Sequence, residues 1–415
     1  MARRTSAASR SRKEARPTGP LRVGLIGAGF MGRAHSNAWS QAGKFFALPR
    51  PVELAAIAAR DGGALAPFAK QWGWARHTTR WQDLVEDPDI DLLDIGTPND
   101  VHREQAVAAL EAGKHVACEK PLAGTLDDAR AMRDAARKAQ RARTFVWFNY
   151  RRCPAIGLAW QLIREGKLGA IRHVRAHYLQ SWGGPDTPRV WRFQKSRAGS
   201  GAHGDLNAHI VDLARFLTGE EITEVHGAVT RTFIKERTLP QDGGGTRKGQ
   251  GAGRTGKRAR KGRSDVDDAA LFLASFRGGA VASFEASRVA PGHLNRNVIE
   301  INGELGSLRF DFEQMNDLAY HDEGLGERTG GWRRIVATSA AGGHPYAGRW
   351  WPDAHGLGYE HGFVNMAADI VRELGGEEPE LPLPDFEDAW QTQRVLEAAL
   401  IAAREGHAVK LSEVR

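Results

Sequence analysis

Short apolar runs alternate with amphipathic helical segments through the first 150 residues. Runs of this length, each followed by a helical repeat of apolar positions, predict parallel strands joined by crossover helices. Both faces of such a sheet are covered, so its strands should be apolar on both sides. The pattern predicts strands over 21–26, 52–58, 90–96, 115–118 and 145–148, and helices over 62–72, 101–112 and 126–140, besides the one that begins after the first strand.

The pattern changes after residue 150, where alternating strands follow one another closely. Tight turns are predicted at 277–279 and 303–306, and strands joined in this way pair antiparallel. A length of 415 residues also favours two domains. We expect an α/β domain with a parallel, doubly wound sheet over 21–148, and an α+β domain with a large, mostly antiparallel open sheet over 149–415. The second should hold helices at 154–165, 205–217 and 386–405, and strands at 171–179, 224–233, 269–276, 280–288, 298–302 and 307–312.

Positive charge is concentrated in two segments. Residues 1–20 carry +5 and residues 241–264 carry +7, whereas the whole chain carries +8, so the remainder has a net charge of −4. We expect the first segment to be a disordered basic tail and the second, with eight glycines, a disordered basic loop. A solvated insertion is the preferred interpretation of the loop, and contact with RNA or another anionic surface is the alternative. A nucleic-acid partner is therefore not expected.

Other features limit the class of protein. No apolar run approaches the roughly 18 residues that span a bilayer, so no membrane contact is expected. Arg3 and Arg4 are not followed by an apolar stretch before Leu21, which argues against an export signal. Cys118 and Cys153 are too few for a disulfide framework or a metal knuckle. We expect a cytoplasmic protein without a metal site.

The segment LRVGLIGAGFMG places Gly27, Gly29 and Gly32 in the spacing G-x-G-x-x-G, directly after the first predicted strand. The first glycine allows a tight turn, and the second lets the backbone approach a pyrophosphate. The third lets the following helix pack close to the strand, with its N-terminal amides facing the anion. The motif at the start of a βαβ series predicts a Rossmann domain that binds NAD or NADP.

The end of the second strand bears on the choice of coenzyme. An acidic residue there binds the ribose 2′-hydroxyl of NAD, whereas an arginine accepts the 2′-phosphate of NADP. The sequence AAIAARDGG places Arg60 just beyond the strand, with Asp61 next to it. Arg60 favours NADP slightly, because a guanidinium pairs bidentately with phosphate, and Asp61 leaves NAD open.

Two further motifs carry acid–base groups. Glu119, Lys120 and Pro121 follow the predicted strand over 115–118, and ligands of open α/β sheets gather at the carboxyl ends of strands. Asp205 and His209 are four residues apart in a predicted helix, so they should share a face. A carboxylate beside an imidazole favours its protonated form, which suits removal of a hydroxyl proton while hydride leaves the same carbon.

These three motifs together resemble the glucose–fructose oxidoreductase/inositol dehydrogenase/rhizopine catabolism (Gfo/Idh/MocA) family over nearly the whole chain from Leu21. Its sugar-dehydrogenase branch is indicated by FNYRR from Phe148, the stretch YLQSW from Tyr178, WRFQKS, SGAHGDLNAH and HPY from His344. The resemblance implies an NAD(P)-dependent dehydrogenase. It would transfer hydride between nicotinamide and a secondary alcohol of a sugar, anhydrosugar or cyclitol.

The resemblance also implies roles for individual residues. Lys120, Asp205 and His209 match the catalytic lysine, aspartate and histidine, with His209 as the base oriented by Asp205. Tyr178 and Gln180 join these three as substrate residues. Besides the three glycines, Arg60 and Lys120, the cofactor would contact Phe30, Met31, Thr97, Asn99, His102, Glu119, Asn149, Arg151, Trp191 and Arg192.

Two points stay open at this stage. Asn207 stands where the family usually has a small residue, so it is expected to narrow the pocket or change its polarity. The family also contains non-catalytic NAD(P)-dependent sensors and redox-neutral enzymes that hold the cofactor tightly, and both are alternatives. A homodimer or homotetramer is expected, because the family uses the outer face of its large sheet for dimer contacts.

Overall fold

The computed structural model describes residues 19–240 and 260–415. Residues 1–18 of the predicted tail over 1–20 and residues 241–259 of the predicted loop lie outside these ranges. The first half alternates strands with helices, as the apolar pattern predicts. Its elements are β1 Leu21–Ile26, α1 Phe30–Phe45, β2 Val52–Ala58, α2 Gly62–Trp72, β3 Arg76–Thr78, α3 Gln82–Glu86, β4 Leu92–Ile95, α4 His102–Glu111, β5 His115–Cys118, α5 Leu126–Lys138 and β6 Thr144–Val146.

The first sheet has the strand order β3-β2-β1-β4-β5-β6, and its neighbouring strands pair parallel. The order reverses between β1 and β4, which is where open α/β sheets bind their ligands. Strand β4 is buried at every position, as expected for a strand between two layers of helices. The predicted Rossmann sheet is confirmed, and its carboxyl edge carries the glycine motif and Lys120.

The second half begins with helix α6 and continues into a second sheet. Its elements are α6 Pro154–Arg164, β7 Ile171–Leu179, α7 Lys195–Ala198, a π-helical turn His203–Asn207, α8 Ala208–Thr218, β8 Ile222–Arg231, β9 Glu236–Thr238, β10 Lys261–Arg263, β11 Ala269–Phe276, β12 Val281–Ser287, β13 Arg296–Gly303, β14 Gly306–Asp311, β15 Asp317–Asp322, β16 Arg333–Val336, α9 Tyr359–Leu374, α10 Phe386–Glu405 and β17 Val409–Lys410.

The second sheet has the order β16-β15-β14-β13-β7-β12-β11-β8-β17 and is antiparallel except where β7 and β12 run parallel. Strand β11 shows its two faces clearly. Phe272 and Phe276 point into the core, whereas Leu271 and Leu273 are 44% and 56% exposed on the other side. Helices α8 and α10 pack against the inner face. The predicted large, mostly antiparallel open sheet is therefore confirmed.

The C-terminal end of the predicted basic loop is ordered, which corrects its bounds. Residues 261–263 form β10, which pairs antiparallel with β9, and the N–H of Ser264 donates to the Lys235 carbonyl at 2.8 Å. Arg237, which belongs to β9 of this hairpin, is 1% exposed and bonds Asp268 at 3.1 Å. Glycine and charge content cannot reveal such a structure, because backbone pairing depends on the partner strand rather than on side-chain composition.

The last two long helices return to the first domain. Helix α9 packs against α1, and α10 packs against α5 as well as β8. Between them the Pro384 carbonyl accepts a hydrogen bond from Val146 of β6 at 2.9 Å. Tyr359, the first residue of α9, is thereby placed against Phe30 of the glycine motif. No helix within the described ranges is long and apolar enough to cross a membrane.

Candidate active site

The glycine motif forms a tight turn between β1 and α1. Gly27 has φ +114°, and a Cβ there would lie 2.7 Å from the Gly96 carbonyl oxygen. A Cβ on Gly32 would lie 2.2 Å from the carbonyl oxygen of Gly27, so the helix can approach the strand only with glycine at this position. Helix α1 begins after Gly29, which has no side chain to cap it, and its first turn holds no acidic residue. This cradle fits a pyrophosphate.

Lys120 and Asp205 meet across the two domains. The Lys120 ammonium donates to Asp205 Oδ1 and to the Asp205 carbonyl oxygen, each at 2.9 Å. The other carboxylate oxygen accepts from Arg288 Nη2 at 2.9 Å, and Arg288 Nη1 bonds the Arg192 carbonyl at 3.1 Å. His209 lies one helical turn further on and is 6% exposed. The three predicted catalytic residues therefore share one site.

The electrostatic setting leaves His209 neutral. Burial lowers the pKa of His209 well below 6.5 and Lys120 lowers it further, while Asp205 only partly opposes them. Burial also disfavours the Asp205 carboxylate, but Lys120, Arg288 and Arg192 outweigh it and hold the pKa of Asp205 well below its usual value. At neutral pH the site thus contains an ionised Asp205 and an imidazole able to accept a proton, as a general base requires.

The expected direct contact between Asp205 and His209 is not formed. Among residues 19–240 and 260–415, both Asp205 oxygens bond cations, and no hydrogen bond joins this carboxylate to His209. Asp205 lies within the π-helical turn that precedes α8. A π turn is wider than an α turn, so residues four apart no longer stack as they do in a straight helix. Asp205 therefore acts on His209 through its charge.

A cavity of about 380 Å³ opens beside these residues, within the usual size range of small-molecule sites. It brings together most of the predicted cofactor and substrate residues from both domains. Besides Lys120, Asp205 and His209, its lining includes Phe30, Met31, Thr97, Asn99, Glu119, Asn149, Tyr178, Gln180, Trp191 and Arg192.

Aromatic side chains form one wall of the cavity. The Tyr150 ring lies 4.6 Å from the His209 ring between centroids, and Phe30 stacks on Tyr359 at 6.1 Å. The Tyr178 hydroxyl donates to Asn295 Oδ1 at 2.7 Å and contacts the Tyr150 hydroxyl at 2.6 Å. Burial raises the pKa values of Tyr150 and Tyr178, so both phenols stay protonated. The wall offers uncharged polar groups around an apolar surface.

His102 and Arg151, two of the predicted cofactor residues, are buried away from the cavity. His102 is fully buried, with Nε2 2.9 Å from the Thr97 carbonyl and Nδ1 3.2 Å from the Leu122 carbonyl. Arg151 is 3% exposed and bonds Asp212 of α8, with Nε 2.8 Å from Oδ2, and Asp388 of α10 at 2.6 Å. The turn over Asn149–Arg152 directs Asn149 into the cavity and Arg151 away from it. His102 therefore bonds the backbone that carries Thr97, and Arg151 bonds α8, the helix that carries His209.

Arg60 and Asn207 also differ from expectation in their surroundings. Arg60 is exposed beyond β2 and does not line the cavity, and neighbouring Asp61 caps α2 by accepting from the Ala64 N–H at 3.2 Å. Asn207 is fully buried, with Nδ2 3.0 Å from His203 Nδ1. The expectation that Asn207 narrows the pocket or changes its polarity is wrong, because its side chain lies in the core against His203 and does not line the cavity.

Several lining residues were missed from sequence: Tyr150, Trp182, Arg288, Asn295 and Tyr359. Tyr150 lies within FNYRR, so a fuller use of that segment would have found it. Arg288 and Tyr359 come from the ends of elements remote in sequence, β12 and α9, and no local motif marks them. Only the folded contacts reveal that Arg288 holds Asp205.

Comparison with known proteins assigns the class. The model of the oxidoreductase family with an NAD-binding Rossmann fold matches residues 21–147, and the model of the GFO/IDH/MocA C-terminal domain matches residues 157–309. The chain therefore belongs to the Gfo/Idh/MocA family of oxidoreductases. The family resemblance of the sequence motifs is confirmed.

Its similar relatives include sugar dehydrogenases. The chain is 41% identical to levoglucosan dehydrogenase of Pseudarthrobacter phenanthrenivorans, with 92% of this chain and 96% of that one aligned. The structure of levoglucosan dehydrogenase in complex with NADH and levoglucosan superposes with a TM-score of 0.85 at 38% identity, over 94% of this chain and 99% of that one. An oxidoreductase domain protein from Kribbella flavida reaches 0.87 at 47% identity, over 95% and 99%. The chain is thus an NAD(P)-dependent oxidoreductase of the sugar-dehydrogenase branch.

Proposed function

We propose that this enzyme oxidises one secondary hydroxyl of a neutral sugar or anhydrosugar, with His209 as the general base. The observation that carries the proposal is the arrangement of Lys120, Asp205 and His209 at one end of the cavity. Neutral His209 is ready to take the hydroxyl proton, and the Lys120 ammonium can donate a hydrogen bond to the same oxygen. Asp205 fixes Lys120 in place and favours the imidazolium that results.

The glycine cradle and the residues around Lys120 would hold the coenzyme. The coenzyme would supply the acceptor for the hydride that leaves the carbon carrying the hydroxyl. Backbone amides at the start of α1 would face its pyrophosphate. Thr97, Asn99, Glu119 and Asn149 would surround the nicotinamide half, since all four line the cavity near Lys120. The chain's own task is to orient the hydroxyl, to accept its proton and to exclude water.

The lining favours an uncharged, polyhydroxylated substrate. Tyr178, Gln180 and Asn295 offer hydrogen-bonding groups without charge, beside the apolar face of Tyr150. Such a combination of apolar surface and few convergent polar groups is suited to a sugar ring. The relatives that act on levoglucosan and on 1,5-anhydro-D-fructose support an anhydrosugar.

NAD(H) is the proposed coenzyme, since the related structures are complexes with NADH. Arg60, exposed beyond β2, keeps NADP(H) as the alternative that the sequence slightly favours. Comparing the dissociation constants of NADH and NADPH by fluorescence titration decides between them. Tighter binding of NADPH would overturn the assignment.

A homodimer or homotetramer through the open sheet is proposed as well. Val229, Leu271, Leu273 and Val281 are all about half exposed on its outer face, and an apolar patch of this kind usually has a partner. The register of the strands places a groove of about 540 Å³, rich in arginine and carboxylate, on the same face. Light scattering on the parent and on Leu273→Lys tests this, and a monomeric parent would contradict it.

A cytoplasmic location is also proposed, since buried, unpaired Cys118 and Cys153 suit a reducing compartment.

Turnover is tested by incubating the protein with NAD⁺ and a panel of sugars, anhydrosugars and cyclitols. Formation of reduced coenzyme that is absent with His209→Ala is the expected result. Coenzyme binding without turnover of any compound would favour the non-catalytic sensor. A changed sugar without net reduced coenzyme would favour the redox-neutral alternative.

A further inference from the structure

His35 of α1 lies beneath the cavity, between two carboxylates. Its Nδ1 is 3.1 Å from Asp94 Oδ1, and its Nε2 is 3.1 Å from Glu119 Oε1. The ring is fully buried and stacks on Trp147 at 4.3 Å between centroids, with Phe363 at 5.7 Å. Glu119 is 4% exposed but lines the cavity beside Lys120. His35 thus connects the interior of the Rossmann domain to the wall of the site.

The two contacts of His35 require one more proton than a neutral imidazole carries. The indole nitrogens of Trp39 and Trp147 donate to the two oxygens of Asp94 at 2.7 and 2.9 Å. An indole N–H can only donate, so Asp94 is held as an acceptor and receives the proton on His35 Nδ1. A neutral imidazole carries a single N–H. The contact between Nε2 and Glu119 therefore needs a second proton, which lies on the ring or on the carboxyl.

We propose that His35 is a positioning residue for the coenzyme, an imidazolium that keeps the Glu119 carboxylate ionised and fixed at the cavity wall. There Glu119 would accept hydrogen bonds from ribose hydroxyls of the nicotinamide half. A carboxylate so enclosed is costly without a cation beside it. The backbone N–H of Lys120 bonds its other oxygen at 3.1 Å but carries no full charge. The inference rests on the coenzyme binding in the proposed function.

Arg192 is a second cation that interacts electrostatically with Glu119, but within the described ranges His35 is the only charged hydrogen-bond donor to this carboxylate. The ionisable side chains that face the ring are Asp94 and Glu119. Burial raises the pKa of the neighbouring Cys118 thiol, which therefore stays protonated. Burial opposes a charged His35, but Asp94 and Glu119 together outweigh it and raise its pKa to about 9. Within the described ranges, no group of three or more such side chains is arranged to hold a metal ion. His35 therefore acts on Glu119 through its charge.

The test is the affinity for NADH of the full-length protein, measured by fluorescence titration near neutral pH. His35→Gln, which cannot carry a charge, should raise the Kd for NADH by about tenfold or more, because Glu119 loses the charged donor that fixes it at the cavity wall. His77→Gln, the matched change on exposed β3, should leave this Kd unchanged.

A double-mutant cycle separates positioning from loss of stability. Glu119→Gln alone should weaken NADH binding, and adding His35→Gln should weaken it little further, because the two side chains act as one unit. Equal NADH affinity of the parent and folded His35→Gln would overturn the inference and leave the proposed function intact. Failure of the parent itself to bind NADH would instead overturn the proposed function.

Nitrogen NMR of the parent keeps the inference testable even where variants fold poorly. Protein labelled with ¹⁵N-histidine should show one ring with both nitrogens protonated at about pH 8, well above the ordinary histidine pKa. That signal should be missing from His35→Gln, or from His35→Phe, which keeps a ring to pack on Trp147. A neutral ring at this pH would place the proton on Glu119 and contradict the proposal.

Discussion

Arg288 Nη2 lies 2.9 Å from Asp205 Oδ2, opposite the oxygen that Lys120 bonds. The guanidinium is 1% exposed and packs below Trp182, 5.2 Å from its ring centroid. Arg288→Ala would leave Asp205 with half of its partners and free to turn toward Lys120 or His209. We expect kcat to fall by about 10–100-fold and the Tm to drop, since breaking a buried pair is strongly destabilising.

Arg288→Lys is the informative companion, because it keeps the charge but replaces the planar guanidinium, which bonds Asp205 and the Arg192 carbonyl through separate nitrogens, with a single nitrogen. It should recover part of kcat. Arg172→Ala removes a surface guanidinium that is 66% exposed and is the control. Unchanged kcat in folded Arg288→Ala would show that Lys120 alone holds Asp205.

His209→Ala should lower kcat by roughly 10²–10⁴-fold, the usual effect of removing a positioned acid–base group. The Kd for NADH should change little, because Lys120 and the glycine cradle are untouched. Steady-state kinetics with the best sugar and NADH titration measure the two quantities. His407→Ala, on the exposed surface, is the control. Turnover close to that of the parent would rule out His209 as the base.

The pH profile of kcat/KM should reflect the low pKa of His209. The base acts in its neutral form, so activity is kept above its pKa and lost as the pH falls through it. Because burial and Lys120 hold this pKa well below 6.5, kcat/KM should stay level as the pH falls through 6.5 and decline only at clearly lower values. A decline centred at 6.5 or above would contradict a buried, neutral His209.

Arg60→Ala should weaken NADPH binding selectively. Only NADPH carries the 2′-phosphate that a guanidinium can pair with, so the Kd for NADH should stay within about twofold. The ratio of the two dissociation constants, before and after the change, is the measurement. An equal effect on both coenzymes would mean that Arg60 does not meet the 2′-phosphate.

Arg151→Met should destabilise the fold without touching the cavity. Arg151 joins Asp212 and Asp388 in a buried cluster, and removing one member of such a cluster costs about 3–5 kcal/mol. Chemical denaturation measures this loss, and the Kd for NADH of the folded fraction should match the parent. Arg404→Met, in a pair that is 65% exposed on the arginine side, should cost within about 0.5 kcal/mol. A weakened NADH affinity with full stability would restore Arg151 to the cofactor site.

Features coded by local pattern could be predicted from the sequence. The alternation in β11 and the glycine spacing after β1 each lie within one short segment, so periodicity and turn chemistry suffice to place them. Lys120 could be placed because a parallel sheet collects the carboxyl ends of its strands at one edge. The sequence identified Asp205 and His209 as candidates. Their relative orientation could not be predicted, because residue spacing does not reveal the π turn that contains Asp205.

Features that depend on distant partners could not be predicted. Arg288 reaches Asp205 across 83 residues, and Arg151 reaches Asp388 across 237. The sequence alone does not distinguish an arginine beside the active site, such as Arg288, from one in a buried structural cluster, such as Arg151, because the residue type and its charge are the same. The same limit applies to β10, whose order comes from pairing with β9.

The return of α9 and α10 to the first domain affects how the chain can be built. A ribosome completes the Rossmann strands by residue 146, yet the helices that cover α1 and α5 are made more than 200 residues later. Until then the cavity lacks Tyr359 and Phe363, which line it from α9. The coenzyme site can therefore be complete only after synthesis has passed residue 374, the end of α9. A stop codon in α9 should yield a protein that chaperones retain rather than a free NAD-binding domain.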